Sequence, residues 1–382
     1  MAENLGRPIK VLHVVTRMNT GGVAVLLDDL MSSFNPHLIE ATLLTGSCDK
    51  TEEDYLSIRK PSYQLIRVAR FQKKFNPKKD LQAFFEIRRS IKSLRVDVVH
   101  THTSKAGLLG RLAASTVKPK PVRVHTFHGH LLTGYFSSWK TKLVYSIEKF
   151  LELFTDSFVA TGSQVCNDLK LIGLGKRVNF KVFFPGLPSR AFESKLVVRK
   201  EIALEDNQTY ILFVGRMTSI KRPDRLLDAI DELVKRKVNV RVLAAGDGEL
   251  LADLRDRASK EDLPITFLGW RSDIPKLIAA SDIAVLTSDN EGVPLTLIEA
   301  SMAGLPLVST NVGSVSDVLV NDLNGYLVDS EPAALADALQ KLAIDPVLRE
   351  IMGEAGRERA TRYFSLEKMC SDHTELYQAL HR

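Results

Sequence analysis

The sequence predicts an α/β protein of two domains, each built around a parallel sheet. At 382 residues the chain is too long for one ordinary hydrophobic core. Short apolar segments alternate with amphipathic ones, which is the pattern of βαβ units. This alternation restarts after a stretch rich in proline and glycine at 183–188. We therefore predict a first domain at 1–187, a second at 188–363, and a final helix at 364–382 that packs back on the first domain.

The individual elements follow from apolar runs of strand length and from helical periodicity between them. In the first half we predict strands at 11–16, 96–100, 122–127 and 157–160, with helices at 24–34, 105–114 and 141–153. In the second half we predict strands at 210–214, 240–244, 265–267, 283–286, 307–309 and 325–328. Three helices are expected to close the chain, at 332–343, 346–363 and 366–380.

Composition narrows the class of protein. Apolar residues make up 45% and charged residues 26% of the chain, which is ordinary for a soluble globular protein. No apolar run is long enough to span a bilayer, and the run near the start is too short for a secretory signal. The three cysteines are scattered and show no metal-ligand spacing. We therefore expect a cytoplasmic protein without a disulfide framework.

Charge is divided unequally between the two halves. Residues 1–190 contain 29 lysines and arginines against 15 acidic residues, whereas the remainder contains 23 against 31. Within the basic half, residues 80–95 are expected to form an amphipathic helix. Its apolar face would contain Leu81, Phe84, Ile91 and Leu94, and its basic face Arg88, Arg89, Lys92 and Arg95. For the helix itself, a solvated face on a packed helix is the favoured interpretation. From the excess of basic residues in the first half as a whole, we predict docking on an anionic lipid surface. Nucleic-acid binding is not expected, because the sequence contains no nucleic-acid recognition motif.

The most informative segment directly follows the fourth predicted strand of the second domain. The carboxyl ends of parallel strands form the ligand-binding edge of open α/β sheets. Pro294 suits the first turn of a helix, which would leave the backbone N–H groups of Leu295 and Thr296 free to bind a diphosphate. Glu291 before this helix and Glu299 within it could then hold hydroxyl groups at either end of a nucleotide sugar.

A second cluster follows the first predicted strand of the same domain. Arg216 and Lys221 lie in this loop, and both could reach one anion over the same sheet edge. Arginine presents a planar fork to phosphate oxygens, and lysine presents a mobile point charge. An ordinary basic loop is the alternative interpretation, and the position of the cluster favours diphosphate binding.

Together these segments resemble the retaining GT-B glycosyltransferases of family 4, also termed group 1. The matching landmarks are the loop from Gly215 to Lys221, the turn Gly246-Asp247-Gly248, the pair Glu291 and Glu299, the loop Gly21-Gly22, and the later Gly313, Asn324-Gly325 and Leu327-Val328. The resemblance covers nearly the whole chain. It implies two Rossmann-like domains with parallel sheets facing a central cleft, an acceptor on the first domain and a nucleotide-sugar donor on the second.

The resemblance also implies roles for individual residues. Arg216 and Lys221 would bind the donor diphosphate, Glu299 the ribose hydroxyls, and Glu291 the transferred sugar. The Gly21-Gly22 loop would let the backbone of the first domain approach the diphosphate closely. The remaining donor-binding positions would be Gly269, Trp270, Arg271, Gly292, Val293, Pro294, Leu295 and Thr296.

Histidines end the third predicted strand of the first domain. The resemblance implies that His128 faces the reacting sugar carbon and acts in catalysis together with Glu291 and the two basic donor residues. His125 and His130 are interpreted as packing or hydrogen-bonding residues. No acid or cysteine lies nearby, so we do not expect a metal site. Asp247 could be a functional acid or only a turn former, since Asp-Gly suits tight turns.

These assignments predict a retaining glycosyltransferase that moves a sugar from a nucleoside diphosphate, with UDP favoured, to a hydroxyl acceptor. The sequence contains no Asp-x-Asp motif, which would indicate a metal-bound donor, and no cofactor is expected. The expected acceptor is a glycan, carried on a lipid during assembly of a bacterial surface polysaccharide. Two alternatives stay open: a nucleotide-sugar epimerase of the same architecture, and a non-catalytic subunit that binds nucleotide sugars.

Overall fold

The computed structural model describes residues 7–49, 52–129 and 138–381, without the side chains of 138–141. The chain divides into two compact units. The first contains Met1–Pro188 and Leu366–Arg382, and the second contains Ser189–Ser365. The second unit is thus inserted between the body of the first unit and its last helix.

The first unit is built on a seven-stranded parallel sheet. Its strands are β1 (Ile9–Val15), β2 (Ile39–Thr45), β3 (Gln64–Arg67), β4 (Val98–His102), β5 (Val122–Phe127), β6 (Ser157–Ala160) and β7 (Phe180–Val182). Its helices are α1 (Gly22–Ser33), α2 (Tyr55–Ile58), α3 (Pro77–Leu94), α4 (Ser104–Ser115), α5 (Ser138–Leu151) and α6 (Ser163–Leu171). The strand order is β3-β2-β1-β4-β5-β6-β7.

The second unit is built on a six-stranded parallel sheet. Its strands are β8 (Thr209–Val214), β9 (Val240–Ala245), β10 (Ile265–Gly269), β11 (Ile283–Leu286), β12 (Leu307–Thr310) and β13 (Gly325–Val328), in the order β10-β9-β8-β11-β12-β13. Its helices are α7 (Lys195–Glu201), α8 (Pro223–Lys235), α9 (Leu251–Lys260), α10 (Ile274–Ala280), α11 (Leu295–Met302), α12 (Val315–Val318), α13 (Pro332–Ile344) and α14 (Pro346–Tyr363). The closing helix α15 (Leu366–His381) belongs to the first unit.

Apolar side chains are buried on both faces of the first sheet, as is usual for a parallel sheet covered by helices. Successive residues of β1 alternate between the faces. Leu12 and Val14 pack with side chains of α3 and α4, whereas Val11 and Val15 pack with those of α1 and α15. The last helix of the chain therefore completes the core of the first unit.

Every predicted strand is present, and each of its ends lies within two residues of the prediction. Three further strands, β2, β3 and β7, were not predicted. The strands β3 and β7 lie at the two sheet edges and bury few of their side chains. In β2 the apolar run is interrupted by Glu40 and Thr42. Short or interrupted runs carry little of the burial pattern that identifies a strand.

The predicted amphipathic helix is α3, but its buried face differs from the prediction. Ala83, Ile87 and Ile91 are buried, whereas Leu81 is 58% exposed. The placement of Leu81 on the apolar face is therefore wrong. Buried positions on a helix advance by three or four residues at a time, and Leu81 lies off the series that contains Ala83, Ile87 and Ile91.

A buried ion pair joins α4 and α5. Arg111 is fully buried, and its Nη2 donates to Glu148 Oε2 at 2.6 Å. Replacing Arg111 with methionine should destabilise the first unit by about 3–5 kcal/mol, because Glu148 would become an unpaired buried charge. Urea unfolding followed by circular dichroism measures the loss. The double variant Arg111→Met/Glu148→Leu should recover most of it, and a single variant as stable as the parent protein would contradict this account.

Candidate functional site

The sheet order of the second unit creates one crevice at its carboxyl edge. From β8 the order runs outward to β9 and β10 on one side and to β11, β12 and β13 on the other. Open α/β sheets bind ligands outside the carboxyl ends of the strands where the order reverses in this way. The loops after β8 and β11 meet there, and both were singled out by the sequence. The loop after β11 also contains Gly292 and Val293, which are half-buried.

Hydrogen bonds to the backbone join these two loops. The Thr287 hydroxyl lies 3.0 Å from the carbonyl oxygen of Lys221 and 2.9 Å from that of Arg222. The backbone N–H of Asp289 donates to the carbonyl of Ile220 at 2.9 Å. Each loop therefore determines the position of the other.

The joining of the two loops brings an ion pair together. Lys221 Nζ and Ser288 Oγ each lie 2.5 Å from Glu291 Oε1, and both donate to it. The backbone at Glu291 is held as well. Gly313 has φ 54°, and a Cβ there would come within 1.8 Å of the Glu291 carbonyl oxygen, so only glycine fits. Glu291 is thus fixed at its backbone and at its carboxylate.

Arg216 provides a cation without a partner. Its side chain is exposed and forms no hydrogen bond or ion pair with any residue that the structure describes. The guanidinium of Arg222, in the same loop, instead pairs with Asp224 and Asp289, at 2.8 and 3.2 Å. Arg216 is therefore available to an anion, whereas Arg222 is already neutralised.

The Gly-Asp-Gly turn packs against the loop that contains Arg216. Gly246 has φ 142°, and a Cβ there would come within 1.8 Å of the carbonyl oxygen of Gly215. The Asp247 side chain accepts a hydrogen bond from the backbone N–H of Gly248 at 2.8 Å. The Asp247 carbonyl accepts one from the backbone N–H of Met217 at 3.0 Å. These contacts agree with the interpretation of Asp247 as a turn former.

Helix α11 begins at this crevice. Its first residue is Leu295, and Pro294 is the N-cap rather than the first-turn residue that we predicted. The carbonyl of Pro294 accepts from the N–H groups of Leu297 and Ile298 at 3.1 and 3.2 Å. The N–H groups of Leu295 and Thr296 find no acceptor among the described residues. They carry the partial positive charge of a helix start into the crevice.

Glu299 lies on the second turn of α11. Its Oε1 is 4.0 Å from Nη2 of Arg190. Burial raises the pKa of the Glu299 carboxyl, and the charge of Arg190 partly opposes that shift. The sequence analysis missed both Arg190 and Ser288. Ser288 lies three residues before Glu291 and could have been found by its spacing, whereas no local pattern connects Arg190 with this helix.

The end of β10 contributes a third loop. Trp270 follows Gly269 and is 74% exposed. The guanidinium of Arg271 forms two hydrogen bonds with Asp273, at 2.7 and 2.5 Å, and they raise the pKa of Arg271. The indole and the backbone of this loop are therefore available to a ligand, whereas the Arg271 guanidinium is already paired.

In the first unit the loop after β1 leads into α1. Gly21 is the N-cap of that helix, and both Gly21 and Gly22 are exposed. A Cβ at Gly21 would meet only the carbonyl oxygen of Asn19, at 3.9 Å. The φ of 157° at Gly21 favours glycine, and the exposed backbone is open to a group that approaches it.

Histidines converge near the carboxyl edge of the first sheet. His128 Nε2 lies 2.9 Å from His102 Nδ1, and His102 Nε2 lies 3.1 Å from His13 Nδ1. His125 is buried and hydrogen-bonded to a threonine hydroxyl. His130 lies outside the described residues. The sequence analysis did not find the partners of His128, because they come from the distant strands β1 and β4.

Three ring nitrogens of this cluster approach the spacing of a metal site. One nitrogen each of His13, His100 and His102 lies within 4.8 Å of the others, which a metal ion could bridge. Both nitrogens of His100, however, are 2.6 Å from hydroxyl groups, those of Tyr377 and Thr126. This arrangement favours hydrogen-bonded packing. That the protein needs no metal stays a prediction.

Replacing Glu299 with glutamine should stabilise the second unit at neutral pH. Burial raises the pKa of this carboxyl, so the folded state binds its proton more tightly than the unfolded chain does. The charged group therefore lowers stability as the pH rises through that interval. The gain in Tm should be present at about pH 8 and should be lost below about pH 4, where the carboxyl is protonated in both the folded and the unfolded state. Calorimetry across this range measures it.

The exposed Glu358 in α14 offers a matched control. Glu358→Gln should leave Tm nearly unchanged across the same range, because an exposed carboxyl is well solvated in both states. A gain for Glu299→Gln that does not vary with pH would contradict the assigned cause.

Family models match both halves of the chain. The model described as glycosyl transferases group 1 matches residues 194–359, and the model described as Glycosyltransferase Family 4 matches residues 20–180. The UDP-Gal:alpha-D-GlcNAc-diphosphoundecaprenol alpha-1,3-galactosyltransferase of Escherichia coli is 30% identical, over 78% of this chain and 79% of that protein. The capsular polysaccharide biosynthesis glycosyltransferase CapM of Staphylococcus aureus is 25% identical, over 78% and 83%.

Solved structures share the fold at lower identity. Sucrose-phosphate synthase from Thermosynechococcus elongatus has a TM-score of 0.82 at 19% identity and covers 97% of this chain and 99% of its own. HepE of Anabaena, in complex with UDP, has a TM-score of 0.80 at 18% identity, with coverages of 98% and 100%. The predicted fold class is confirmed. The chain is a glycosyltransferase with the GT-B fold and belongs to family 4, the group 1 glycosyltransferases.

Proposed function

We propose that this protein transfers a sugar from a UDP-sugar to a hydroxyl group of a lipid-linked glycan, with retention of anomeric configuration and without a metal ion. The observation that supports this most is the meeting of unpaired Arg216, the Lys221–Glu291 pair and the open start of α11 at one crevice. The E. coli relative has UDP-Gal and a diphosphoundecaprenol-linked sugar in its name, and the HepE structure contains UDP.

Each group at this crevice suits one part of the donor. The Arg216 fork and the two free N–H groups at the start of α11 would bind oxygens of the diphosphate. Lys221 has three N–H donors, so it can keep its bond to Glu291 and still donate to a phosphate oxygen. Glu299 would accept hydrogen bonds from the ribose hydroxyls. The loop of Trp270 would contact the base.

The proposed reaction is a substitution at the anomeric carbon. The bond from this carbon to the β-phosphate oxygen breaks, and the acceptor oxygen bonds to the carbon from the same face. The acceptor proton passes to the leaving diphosphate, so atoms and charge balance. Arg216, Lys221 and the α11 start would stabilise the charge that develops on the leaving group. Glu291 would bind the sugar rather than attack it, and the role of His128 in catalysis stays a prediction.

Nucleotide binding tests the donor site. In calorimetric titrations with UDP, GDP and ADP, we expect the protein to bind UDP selectively. Arg216→Ala and Glu299→Ala should each weaken UDP binding at least about tenfold, because each removes a charged hydrogen-bonding group. The matched control is Arg241→Ala, since Arg241 is an exposed arginine on β9 of the same unit.

Unchanged affinity in both site variants, or no nucleotide binding by the folded protein, would contradict the proposal. Turnover assays with the same preparations separate the alternatives. Release of UDP that depends on the acceptor and persists in EDTA agrees with metal-independent transfer. Conversion of the donor to an epimer without acceptor would identify an epimerase, and binding without turnover would identify a non-catalytic subunit.

Helix α3 supports the proposal of docking on an anionic membrane. One stripe of this helix, spaced by three or four residues, is exposed and combines apolar with basic side chains. It consists of Lys78, Leu81, Phe85, Arg89 and Lys92. Each basic residue near an anionic surface contributes about 1 kcal/mol. In the described part of the chain, no helix is long and apolar enough to cross a bilayer. We propose peripheral docking on the inner face of the cytoplasmic membrane through this stripe.

Liposome co-sedimentation tests this surface. The parent protein should pellet with vesicles that contain anionic lipid and much less with neutral vesicles. Leu81→Ser/Phe85→Ser should reduce pelleting, because it removes the apolar part of the stripe. Leu171→Ser, which removes an exposed leucine at the end of α6, is the control and should not. Equal pelleting of the parent protein with both kinds of vesicle would refute docking by charge.

A further inference from the structure

The segment that joins β3 to α3 carries an exposed phenylalanine among lysines. It comprises residues 68–76, and we name it the β3–α3 loop. The side chain of Phe75 is 77% exposed. Four exposed lysines flank it in the sequence, two before it and two after it: Lys73, Lys74, Lys78 and Lys79. The loop and the first turn of α3 therefore present one large apolar ring and four positive charges to solvent.

Contacts with the body of the first unit hold the β3–α3 loop in place. Four residues before Phe75, the ring of Phe71 is fully buried in the core that includes side chains of α3 and α4. Nζ of Lys105, on α4, donates to the backbone carbonyls of Gln72 and Lys74 at 2.7 and 2.8 Å. The backbone on the N-terminal side of Phe75 is thus fixed by a buried ring and by a side chain of a neighbouring helix.

Helix capping does not explain why an apolar residue stands at position 75. Asn76 is the N-cap of α3, and an apolar residue directly before an N-cap usually packs against the fourth residue of the helix. Here that fourth residue is Asp80. Its carboxylate lies 2.6 Å from Lys105 Nζ and accepts from the backbone N–H of Asn76 at 3.0 Å. Phe75 therefore lacks the apolar partner that a residue in its place would normally have.

The positive charge around Phe75 is only partly compensated. Nζ of Lys73 lies 3.5 Å from Oε1 of Glu52. Lys74 and Lys78 form no ion pair with any residue that the structure describes. One of these unpaired cations precedes the phenyl ring in the sequence and the other follows it. A surface that is both anionic and able to bury an apolar ring is complementary to this arrangement.

We propose that the Phe75 ring inserts between the lipids of an anionic membrane, while the flanking lysines bind lipid phosphate groups. The inference rests on the docking proposed above for α3, and it adds a residue that enters the bilayer to a helix that lies on its surface. An aromatic ring beside cations suits the boundary between headgroups and acyl chains. Because the loop is already held in place, insertion orders little additional chain, and the entropic cost of binding is small.

Binding to vesicles of phosphatidylglycerol and phosphatidylcholine measures the contribution of Phe75. The partition coefficient of Phe75→Ser should be about tenfold below that of the parent protein, because the phenyl ring no longer leaves water on binding. The matched control is Ile351→Ser. Ile351 is 62% exposed on α14, where its neighbours include the exposed acids Glu350 and Glu354, so this variant should bind as the parent protein does. Circular dichroism verifies that both variants are folded.

Tryptophan fluorescence reports whether the side chain enters the bilayer. In Phe75→Trp, the emission added to that of the parent protein should move to shorter wavelength when anionic vesicles are present. Lipids with brominated acyl chains should quench this added emission. Ile351→Trp is the matched control, and its added emission should show neither change, because that side chain stays in water.

Equal partition coefficients for Phe75→Ser and the parent protein would overturn the insertion and leave docking through α3 intact. Added emission in Phe75→Trp that brominated lipids do not quench would overturn it as well, since the ring would then lie outside the acyl chains, as it would if its partner were an acidic protein. If the parent protein did not bind anionic vesicles, docking and insertion would both fail, so the two failures can be distinguished.

Discussion

The hydrogen bonds that join the loop after β8 to the loop after β11 determine the geometry of the candidate donor site. Thr287 and Asp289 hold the backbone at 220–222, so that Lys221 reaches Glu291 at 2.5 Å. Because that pair is already neutral, Arg216 supplies uncompensated positive charge to the crevice. The start of α11 adds partial positive charge without any side chain. A long donor that carries both a diphosphate and hydroxyl groups suits this arrangement better than a simple anion does.

The two parallel sheets could be predicted because their central strands are continuous apolar runs. Strand β11 is four buried residues in succession and was predicted to the residue. The edge strands β3 and β7 were not, since their side chains are only partly buried. Leu81 shows that the buried side chains of a helix are also hard to predict from the sequence. Its hydrophobicity suggests burial, but the face of α3 that meets the sheet is determined by packing with α4, which a single segment does not reveal.

The residues of the candidate site also divide into those that the sequence could suggest and those that it could not. Arg216, Lys221, Glu291 and Glu299 stand at recognisable spacings within two loops, so the sequence could suggest them. Arg190 approaches Glu299 only through the folded second unit. His13 and His102 appear in the sequence as isolated polar residues on two strands, and nothing in their spacing connects them with His128. Local sequence patterns do not reveal residues that only the strand order of a sheet brings together.

The position of α15 has a consequence for synthesis of the chain. Met369, Leu376 and Tyr377 are buried in the core that α1 and β1 form, and the N–H of Leu366 donates to the carbonyl of Leu187 at 2.9 Å. Translation supplies residues 189–365 before it supplies this helix. Domains usually fold as they emerge from the ribosome, but here the unit that is made first lacks part of its core until the end. The second unit can therefore finish folding earlier, while the nascent first unit still exposes the apolar face that α15 later covers.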